Sequence, residues 1–326
     1  MKAIICRDPK EPLSLEYGEL PGAAPGPGQV RVAVRAAGVN YADSLMATGR
    51  YQVKPPVPFS PGLEAAGDVI EVGSGVSRLK VGDRVLGLTS WGGYAEELIS
   101  EEHRFLVIPE DMDYVTAAGF SLTYGTSHLG LDYRARLKAG ETLVVHGAGG
   151  GVGLTAVEVG KLMGARVIAT AGAPEKLELA RSRGADEIIN YREEDIRERI
   201  LDLTDGRGAD VVYDPVGGDV FKASLRSMAF EGRILVIGFA GGEVPQIPAN
   251  HLLVKNVDVI GFFWGAYKVH NRDRLVKSIY QLVDWWKEGR LKPHVSKTFP
   301  LSDAQQAIEY LLARKSTGKV VIKVSG

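Results

Sequence analysis

The sequence predicts a two-domain α/β protein, in which an irregular antiparallel β-domain is joined to a doubly wound parallel-sheet domain. Roughly the first 120 residues are rich in Gly, Pro and Val, and short alternating runs such as QVRVAVRAA (29–37) lie between turn signals. From about residue 142, strand-like runs alternate with segments of helical length, which is typical of a parallel sheet covered on both faces. A chain of 326 residues is long enough for about two domains.

The later elements can be assigned in order along the chain. The strands predicted for the second domain are TLVVH (142–146), RVIAT (166–170), EIIN (187–190), DVVYD (210–214) and RILVIG (233–238). Apolar residues from Leu275 to Trp286 recur at helical spacing, and Ser302 with Gln305 has the pattern of a capping box. A final strand, GKVVIKV (318–324), is expected to rejoin the first domain. The first domain is therefore predicted at 1–121 and 266–326, and the second at 122–265.

Composition and charge exclude several classes of function. Apolar residues make up 45% of the chain, and 39 basic against 40 acidic residues give a net charge of −1. This balance provides no general attraction to nucleic acid or to an anionic membrane, so a small-molecule partner is expected. The longest apolar runs are far shorter than the roughly 20 residues of a membrane span. The opening MKAIICRDPKEP becomes charged too early for a secretory signal, so a cytoplasmic location is expected.

The strongest chemical signal is the run HGAGGGVG (146–153), which follows a predicted strand and opens a predicted helix. A dinucleotide diphosphate needs a backbone that can come close and N–H groups directed at it, and glycines at a helix N-terminus supply both. The alternative is a plain tight turn between strand and helix. The residues predicted to bind the cofactor here are Ala148, Gly149, Gly150, Gly151, Val152 and Gly153.

The end of the second strand of this domain indicates which dinucleotide is bound. An acidic residue there would bind the ribose 2′-hydroxyl of NADH, but the chain reads TAGAPEK (170–176), with no acid before the next helix. NADPH is therefore favoured. Lys176 can offer a cation to a 2′-phosphate, and Tyr191 can offer a hydroxyl or a ring face. The alternative is a solvated lysine and a tyrosine at the rim.

The segment PGLEAAG (61–67) has the outline of a metal-site segment without its ligand, because Leu63 has no lone pair to donate. Cys6 is the only cysteine, so neither an internal disulfide nor a cysteine-rich zinc lobe can form. The six histidines are at least 18 positions apart, and no two of them form a local ligand pair. No metal site is predicted.

Taken in order, these motifs resemble those of the zeta-crystallin-like quinone oxidoreductases, a zinc-free branch of the medium-chain dehydrogenase/reductase superfamily. The resemblance covers essentially the whole chain and rests on AGVNYADSLMATGRY (37–51), PGLEAAGDVIEVGSGV (61–76), VGDRV (81–85), HGAGGGVG (146–153), EKLELAR (175–181), INY (189–191), YDPVGG (213–218), FFWG (262–265) and GKVVIK (318–323). It implies a GroES-like irregular β-domain and a Rossmann doubly wound domain. It also implies a zinc-independent transfer of hydride from NADPH to a quinone or a similar conjugated carbonyl.

The resemblance also implies which residues form the site. Asn40 and Leu63 correspond to the positions of zinc ligands in zinc-dependent relatives. The residues implied near the substrate are Asn40, Tyr41, Asp43 and Tyr51. Asn40 is expected to donate an amide N–H to the substrate or the nicotinamide region. Tyr51 either donates a proton or hydrogen bond to the substrate carbonyl, or simply packs at the edge of the site, and Asp43 is expected to be structural rather than catalytic.

Further cofactor contacts are implied at Thr126, Gly238, Phe239, Phe263, Trp264, Gly265 and Lys319. Packing in a core or interface is the alternative for the aromatic residues of FFW. Gly172 stands where many relatives carry a serine or a basic residue, so the preference for NADPH is expected to be weaker than in the family generally. His128 either reaches the site or is a half-buried helix histidine. The run VDVIGFFW (257–264) is expected to be an apolar edge strand through which a homodimer forms.

Two other functions are compatible with the same resemblance. An enoyl-thioester reductase would need a basic patch for the phosphates of coenzyme A, and Arg50, Lys54 and Arg272 are candidates. Relatives recruited as lens structural proteins or as binders of AU-rich RNA represent another class. The near-zero net charge and the absence of a basic tract argue against a dedicated nucleic-acid role.

Overall fold

The computed structural model describes residues 1–324. Its strands are β1 (Lys2–Ile5), β2 (Glu16–Glu19), β3 (Gln29–Val39), β4 (Glu64–Val72), β5 (Arg84–Leu88), β6 (Glu97–Glu101), β7 (Phe105–Val107), β8 (Thr142–Val145), β9 (Arg166–Ala171), β10 (Glu187–Asn190), β11 (Ala209–Asp214), β12 (Met228–Val236), β13 (Asp258–Gly261), β14 (Val295–Pro300) and β15 (Lys319–Lys323). Its α-helices are α1 (Tyr41–Ala47), α2 (Tyr114–Ala118), α3 (Ser121–Leu129), α4 (Gly151–Leu162), α5 (Pro174–Ser182), α6 (Ile196–Leu203), α7 (Gly218–Arg226), α8 (Ala249–Lys255), α9 (Tyr267–His270), α10 (Arg272–Lys287) and α11 (Ala304–Leu312).

The chain divides into two compact units. The first comprises Met1–Leu122 together with the chain from Pro293 onward, and the second comprises Thr123–Lys292. This division differs from the predicted boundary, which assigned 266–292 to the first domain. The reason is that α10 packs within the second unit, where His128 bonds to Ser278 and lies edge-on to Trp285.

The first unit contains a largely antiparallel sheet in the order β14-β15-β3-β4-β5-β7, with β6 also paired to β3. The alternating burial of β3 explains the predicted run QVRVAVRAA, because one side of the strand faces the core of this unit. The predicted last strand is confirmed, since β15 pairs with β3 in antiparallel fashion and Val321 lies opposite Gly38.

The second unit contains a six-stranded parallel sheet in the order β10-β9-β8-β11-β12-β13. Each strand predicted between residues 142 and 238 is present, and 187–190 agrees at both ends. The order reverses direction between β8 and β11, which is the switch point where doubly wound sheets bind their ligands. An edge strand is present at β13, although it covers only Asp258–Gly261 of the predicted run 257–264.

The predicted capping box at Ser302 and Gln305 is not formed. The Ser302 hydroxyl donates to the Asp303 carboxylate, and α11 has no side-chain cap. The Gln305 amide oxygen instead accepts the backbone N–H of Leu15, 290 positions away in the sequence. A long-range partner has therefore replaced the local one.

Within residues 1–324, no helix combines the length and apolarity that a membrane crossing requires.

Candidate active site

The glycine-rich loop of the second unit joins the end of β8 to the start of α4. Gly147 has a φ of 59°, which favours glycine, and its carbonyl accepts the N–H of Gly150 at 2.9 Å. A Cβ added to Gly153 would overlap the Gly147 carbonyl oxygen, so the loop and the first turn of α4 pack backbone against backbone. Gly151, Val152 and Gly153 begin this 12-residue helix, so their N–H groups lie at a helix N-terminus, where no preceding helical turn supplies carbonyl partners. This arrangement fits the diphosphate of a dinucleotide.

Two residues predicted for the 2′-phosphate lie at the side of this loop. The aliphatic stem of Lys176 packs on the loop, since a Cβ added to Gly149 would come within 2.5 Å of the Lys176 Cβ. The ring of Tyr191 packs over the end of β9 in the same way, 2.7 Å from a Cβ added to Gly172. The structure therefore brings Lys176, the glycine loop and the strand that follows it into one region. Tyr191 also fills the space that a side chain at position 172 would need.

The remaining residues that the family pattern assigned to the cofactor in this unit occupy different surroundings. The Gly238 N–H donates to the Asp214 carbonyl at 3.4 Å, directly after β12. Phe263 and Phe239 are partly exposed, whereas Thr126 is buried on α3. Trp264 is buried against Gly125, and its indole nitrogen has no hydrogen-bond partner within residues 1–324. The Trp264 side chain is therefore packed within the unit, which is the alternative to a cofactor contact given for the aromatic residues of FFW.

The His128 side chain packs against α10. Its Nδ1 pairs with the Ser278 hydroxyl at 2.8 Å, and its ring contacts the edge of Trp285. Burial lowers the pKa of His128, with the charge of Asp132 opposing this effect. The half-buried helix histidine is the arrangement that the structure shows.

In the first unit, a buried ion pair joins β15 to β4. The Lys319 ammonium donates to the Glu64 carboxylate at 2.7 Å, to the Asn40 amide oxygen at 2.7 Å and to the Val39 carbonyl at 3.0 Å. The other Glu64 oxygen accepts the Ser121 hydroxyl at 3.0 Å. Charges removed from water need such complete pairing, because an isolated buried charge would be strongly destabilising.

Asp43 lies beside this ion pair, on the first turn of α1. One carboxylate oxygen accepts hydrogen bonds from the Asn40 backbone N–H at 2.8 Å and from the Tyr94 hydroxyl at 2.9 Å. The other oxygen is buried without a hydrogen-bond partner among the described residues. Burial raises the pKa of Asp43 to about 6, although the hydrogen bond from Tyr94 opposes the shift. The role of Asp43 in fixing the start of α1 agrees with the structural alternative.

The tyrosines predicted near the substrate differ in environment. Tyr41 is 38% exposed at the first position of α1. Tyr51 packs against an apolar cluster that contains Leu63 and Cys6. Burial raises the pKa of Tyr51 to about 12, and the charge of Asp43 adds to the shift. The Tyr51 phenol therefore keeps its proton at neutral pH.

Comparison with known proteins identifies the family. The family model described as "Alcohol dehydrogenase GroES-like domain" matches residues 26–110, and that described as "Zinc-binding dehydrogenase" matches 151–284. The chain is 43% identical over 324 residues to the quinone oxidoreductase-like protein 2 homolog of Nematostella vectensis, covering 98% of this chain and 88% of that protein. The chain belongs to the quinone oxidoreductase family of medium-chain dehydrogenases/reductases. The predicted family and the predicted GroES-like and Rossmann fold class are confirmed.

Two solved structures add detail about this quinone oxidoreductase family member. Escherichia coli quinone oxidoreductase complexed with NADPH is 32% identical, with a TM-score of 0.93 and coverage of 99% of this chain and 100% of that one. CurK enoyl reductase is 28% identical, with a TM-score of 0.89 and 99% of both chains covered. The protein is an NAD(P)-dependent oxidoreductase.

In this family member, the Asn40 amide N–H groups have partners within the first unit. They donate to Glu64 at 3.1 Å and to the Gly38 carbonyl at 3.3 Å. The amide is thus part of the buried ion-pair cluster. Lys319 was assigned to the cofactor, but its ammonium is likewise engaged in this pair.

Sequence reasoning missed Glu64, Tyr94 and Ser121 as members of this cluster. The only local signal was a carboxylate at the start of the otherwise apolar run EAAG (64–67).

The basic residues suggested for the phosphates of coenzyme A have different surroundings. The Arg50 guanidinium forms an ion pair with Glu11 at 2.7 Å. Lys54 is exposed.

Proposed function

We propose that this protein transfers a hydride from NADPH to a quinone or a similar conjugated carbonyl compound without using zinc. The proposal rests on the side chains present at the two positions that correspond to zinc ligands in zinc-dependent relatives. Leu63 is buried in an apolar cluster, and the Asn40 amide is held by Glu64 and Lys319. Neither side chain offers the nitrogen, sulfur or carboxylate ligand that zinc prefers. An acceptor that is already electrophilic fits this chemistry, because it needs orientation rather than a Lewis acid.

The choice of NADPH is supported by the charges near the glycine loop. The end of β9 carries no acidic residue to bind a ribose 2′-hydroxyl, and the stem of Lys176 packs on the loop. A cation near that point favours a 2′-phosphate. Residues 148–153, with Lys176 and Tyr191, would hold the dinucleotide. When bound, the reduced nicotinamide supplies the hydride.

On the substrate side, we assign the donor role to Tyr51. Its phenol is protonated at neutral pH, as an ordinary tyrosine is, and burial raises its pKa further, to about 12. A protonated phenol stabilises a developing oxyanion or protonates the reduced product. Asn40 and Asp43 act as positioning residues, since they set the start of α1 through the Asn40 N–H bond to Asp43. Tyr41 is the exposed residue of the same turn.

The proposal is tested by measuring oxidation of NADPH and of NADH after EDTA treatment. The acceptors are 9,10-phenanthrenequinone and crotonyl-CoA. Full activity after chelation, with NADPH preferred and the quinone reduced, is the expected result. Activity that is lost on chelation and restored by zinc would contradict the zinc-free assignment.

An enoyl-thioester reductase is the second candidate. It is favoured by the likeness to CurK enoyl reductase over essentially the whole chain. It is weakened by Arg50, whose guanidinium is paired with Glu11 and is therefore less available to a phosphate of coenzyme A. A preference for crotonyl-CoA in the same assay would decide for this candidate.

We also propose that the protein is a homodimer joined through β13. This edge strand leaves backbone groups on one side without a strand partner in the sheet, and its twin could satisfy them. Leu253 and Val254 on α8, the helix that precedes β13 in the chain, are 78% and 74% exposed. They provide further apolar surface for an interface. Sedimentation velocity at micromolar concentration should show a dimer. A Val259→Pro variant, which removes a donor from the edge strand, should dissociate, whereas a wild-type monomer would contradict the proposal.

A further inference from the structure

His146 is a fully buried histidine between the end of β8 and the glycine loop. Its Nδ1 lies 2.9 Å from the Thr170 hydroxyl on β9, and its Nε2 lies 2.7 Å from the Ser224 hydroxyl on α7. The imidazole therefore joins three elements through two hydrogen bonds. It does so at the carboxyl ends of parallel strands, where doubly wound sheets bind their ligands.

The hydrogen bonds of the neighbours define the tautomer of this ring. The Ser224 hydroxyl donates its single proton to the Val220 carbonyl at 2.8 Å, so it accepts a proton from His146. Nε2 consequently carries the hydrogen, and Nδ1 accepts from the Thr170 hydroxyl. Burial lowers the pKa of His146, with the charge of Asp214 acting in the opposite direction, which agrees with a neutral ring.

The residues that His146 contacts also hold the loop backbone. The His146 N–H donates to the Tyr213 carbonyl at 3.1 Å, and the Ala148 N–H donates to the Thr170 carbonyl at 3.0 Å. Gly147, which has a φ of 59°, lies between these two attachments. His146, Gly147, Ala148 and Thr170 are thus linked in a closed circuit, which the hydrogen bond between the imidazole and the Thr170 hydroxyl completes.

We propose that His146 is a positioning residue for the dinucleotide, which acts by fixing the glycine loop against β9 and α7. This inference rests on the proposed binding of NADPH at the loop. It assigns to the neutral imidazole a donor bond to Ser224 and an acceptor bond to Thr170. Loss of either bond frees the loop to adopt conformations that bind the diphosphate less well, since a preformed site avoids the ordering cost of binding.

The test measures NADPH dissociation constants by fluorescence titration for Thr170→Val, Ser224→Ala and His146→Leu. Thr170→Val and Ser224→Ala should each bind roughly tenfold more weakly, because one buried hydrogen bond is of that order, and His146→Leu, which loses both bonds, should bind at least as weakly. His146→Gln keeps a donor and an acceptor on one side chain and should recover part of the loss. In steady-state assays the KM for NADPH should rise while kcat at saturation is kept. His128→Leu is the matched control, since it removes a histidine bonded to α10 and should leave NADPH binding unchanged.

The melting temperature of each cofactor-free variant separates positioning from stability. If the variants melt earlier but bind NADPH as tightly as the wild type at a temperature where all are folded, His146 is only structural and the inference is overturned. Thr170→Val keeps the size of the side chain and serves if His146→Leu does not fold. A wild-type protein that does not bind NADPH would instead refute the proposed function.

Discussion

Replacement of Asp43 with asparagine removes a buried ionisable group while keeping an oxygen that can accept from Asn40 and Tyr94. Asp43 has no exposed surface, and one of its oxygens lacks a hydrogen-bond partner among residues 1–324. Its ionised form is therefore poorly compensated. Burial raises its pKa from the ordinary 3.8 to about 6.

The raised pKa of Asp43 fixes the sign of the pH effect on the free energy of unfolding. Between pH 3.8 and about 6, the folded protein binds the Asp43 proton more tightly than the unfolded chain does. The free energy of unfolding therefore falls as the pH rises through this window, and the effect is complete above it. One pKa unit corresponds to about 1.4 kcal/mol, so ionised Asp43 destabilises the fold by about 3 kcal/mol.

The assay is urea unfolding of the wild type and Asp43→Asn at about pH 4.5 and about pH 7.5. Relative to the wild type, the variant should gain about 2 kcal/mol between these two pH values. Asp113→Asn is the control, because desolvation raises the pKa of Asp113 but is outweighed by its hydrogen bonds from Thr116, Val115 and its own backbone together, which lower the pKa. Its contribution to stability is lost only as the pH falls through that lowered pKa, so the control difference should be constant over the window. Equal pH dependence of Asp43→Asn and the wild type would refute the reasoning.

Three further outcomes are expected. Gly153→Ala places a Cβ against the Gly147 carbonyl oxygen and should weaken NADPH binding at least about tenfold by titration, whereas wild-type affinity would show that the loop can move aside. Lys319→Met leaves Glu64 buried and unpaired and should lower the free energy of unfolding by about 3–5 kcal/mol. Urea unfolding should show part of that loss restored when Glu64→Gln is added. Tyr51→Phe should reduce kcat with whichever acceptor the wild type prefers, 9,10-phenanthrenequinone or crotonyl-CoA, by about 100-fold if the phenol donates a proton, and equal rates for both proteins would assign Tyr51 to packing.

The central strands of the parallel sheet were predictable because they are buried on both faces. Such strands appear in the sequence as nearly continuous apolar runs, and the predicted run TLVVH (142–146) contains β8, whose four residues are all buried. The domain boundary was less predictable. The spacing of Leu275, Ile279 and Leu282 indicates a helix with one buried face, but it does not indicate what that face contacts.

The site divides in the same way between local and long-range features. The glycine loop follows from residues adjacent in the sequence, and its backbone geometry agrees with the pattern. The Glu64 and Lys319 pair joins positions 255 residues apart, and no local spacing encodes it. The bond between Gln305 and Leu15 shows the same limit, because a distant backbone donor overrode a local capping pattern.

The groups around Glu64 in the first unit and around His146 in the second favour precise positioning over acid–base exchange. Glu64 is saturated by Lys319, Asn40 and Ser121, and His146 is saturated by Thr170 and Ser224. Networks whose members are all satisfied are rigid, and opening them exposes unpaired polar groups at a high energetic cost. Hydride transfer to an electrophilic acceptor depends mainly on holding the reacting atoms in line, so rigid supports serve it directly. The proposed reaction thus requires what these two networks provide, and it leaves the protonated Tyr51 as the group suited to meet the negative charge that develops on the acceptor.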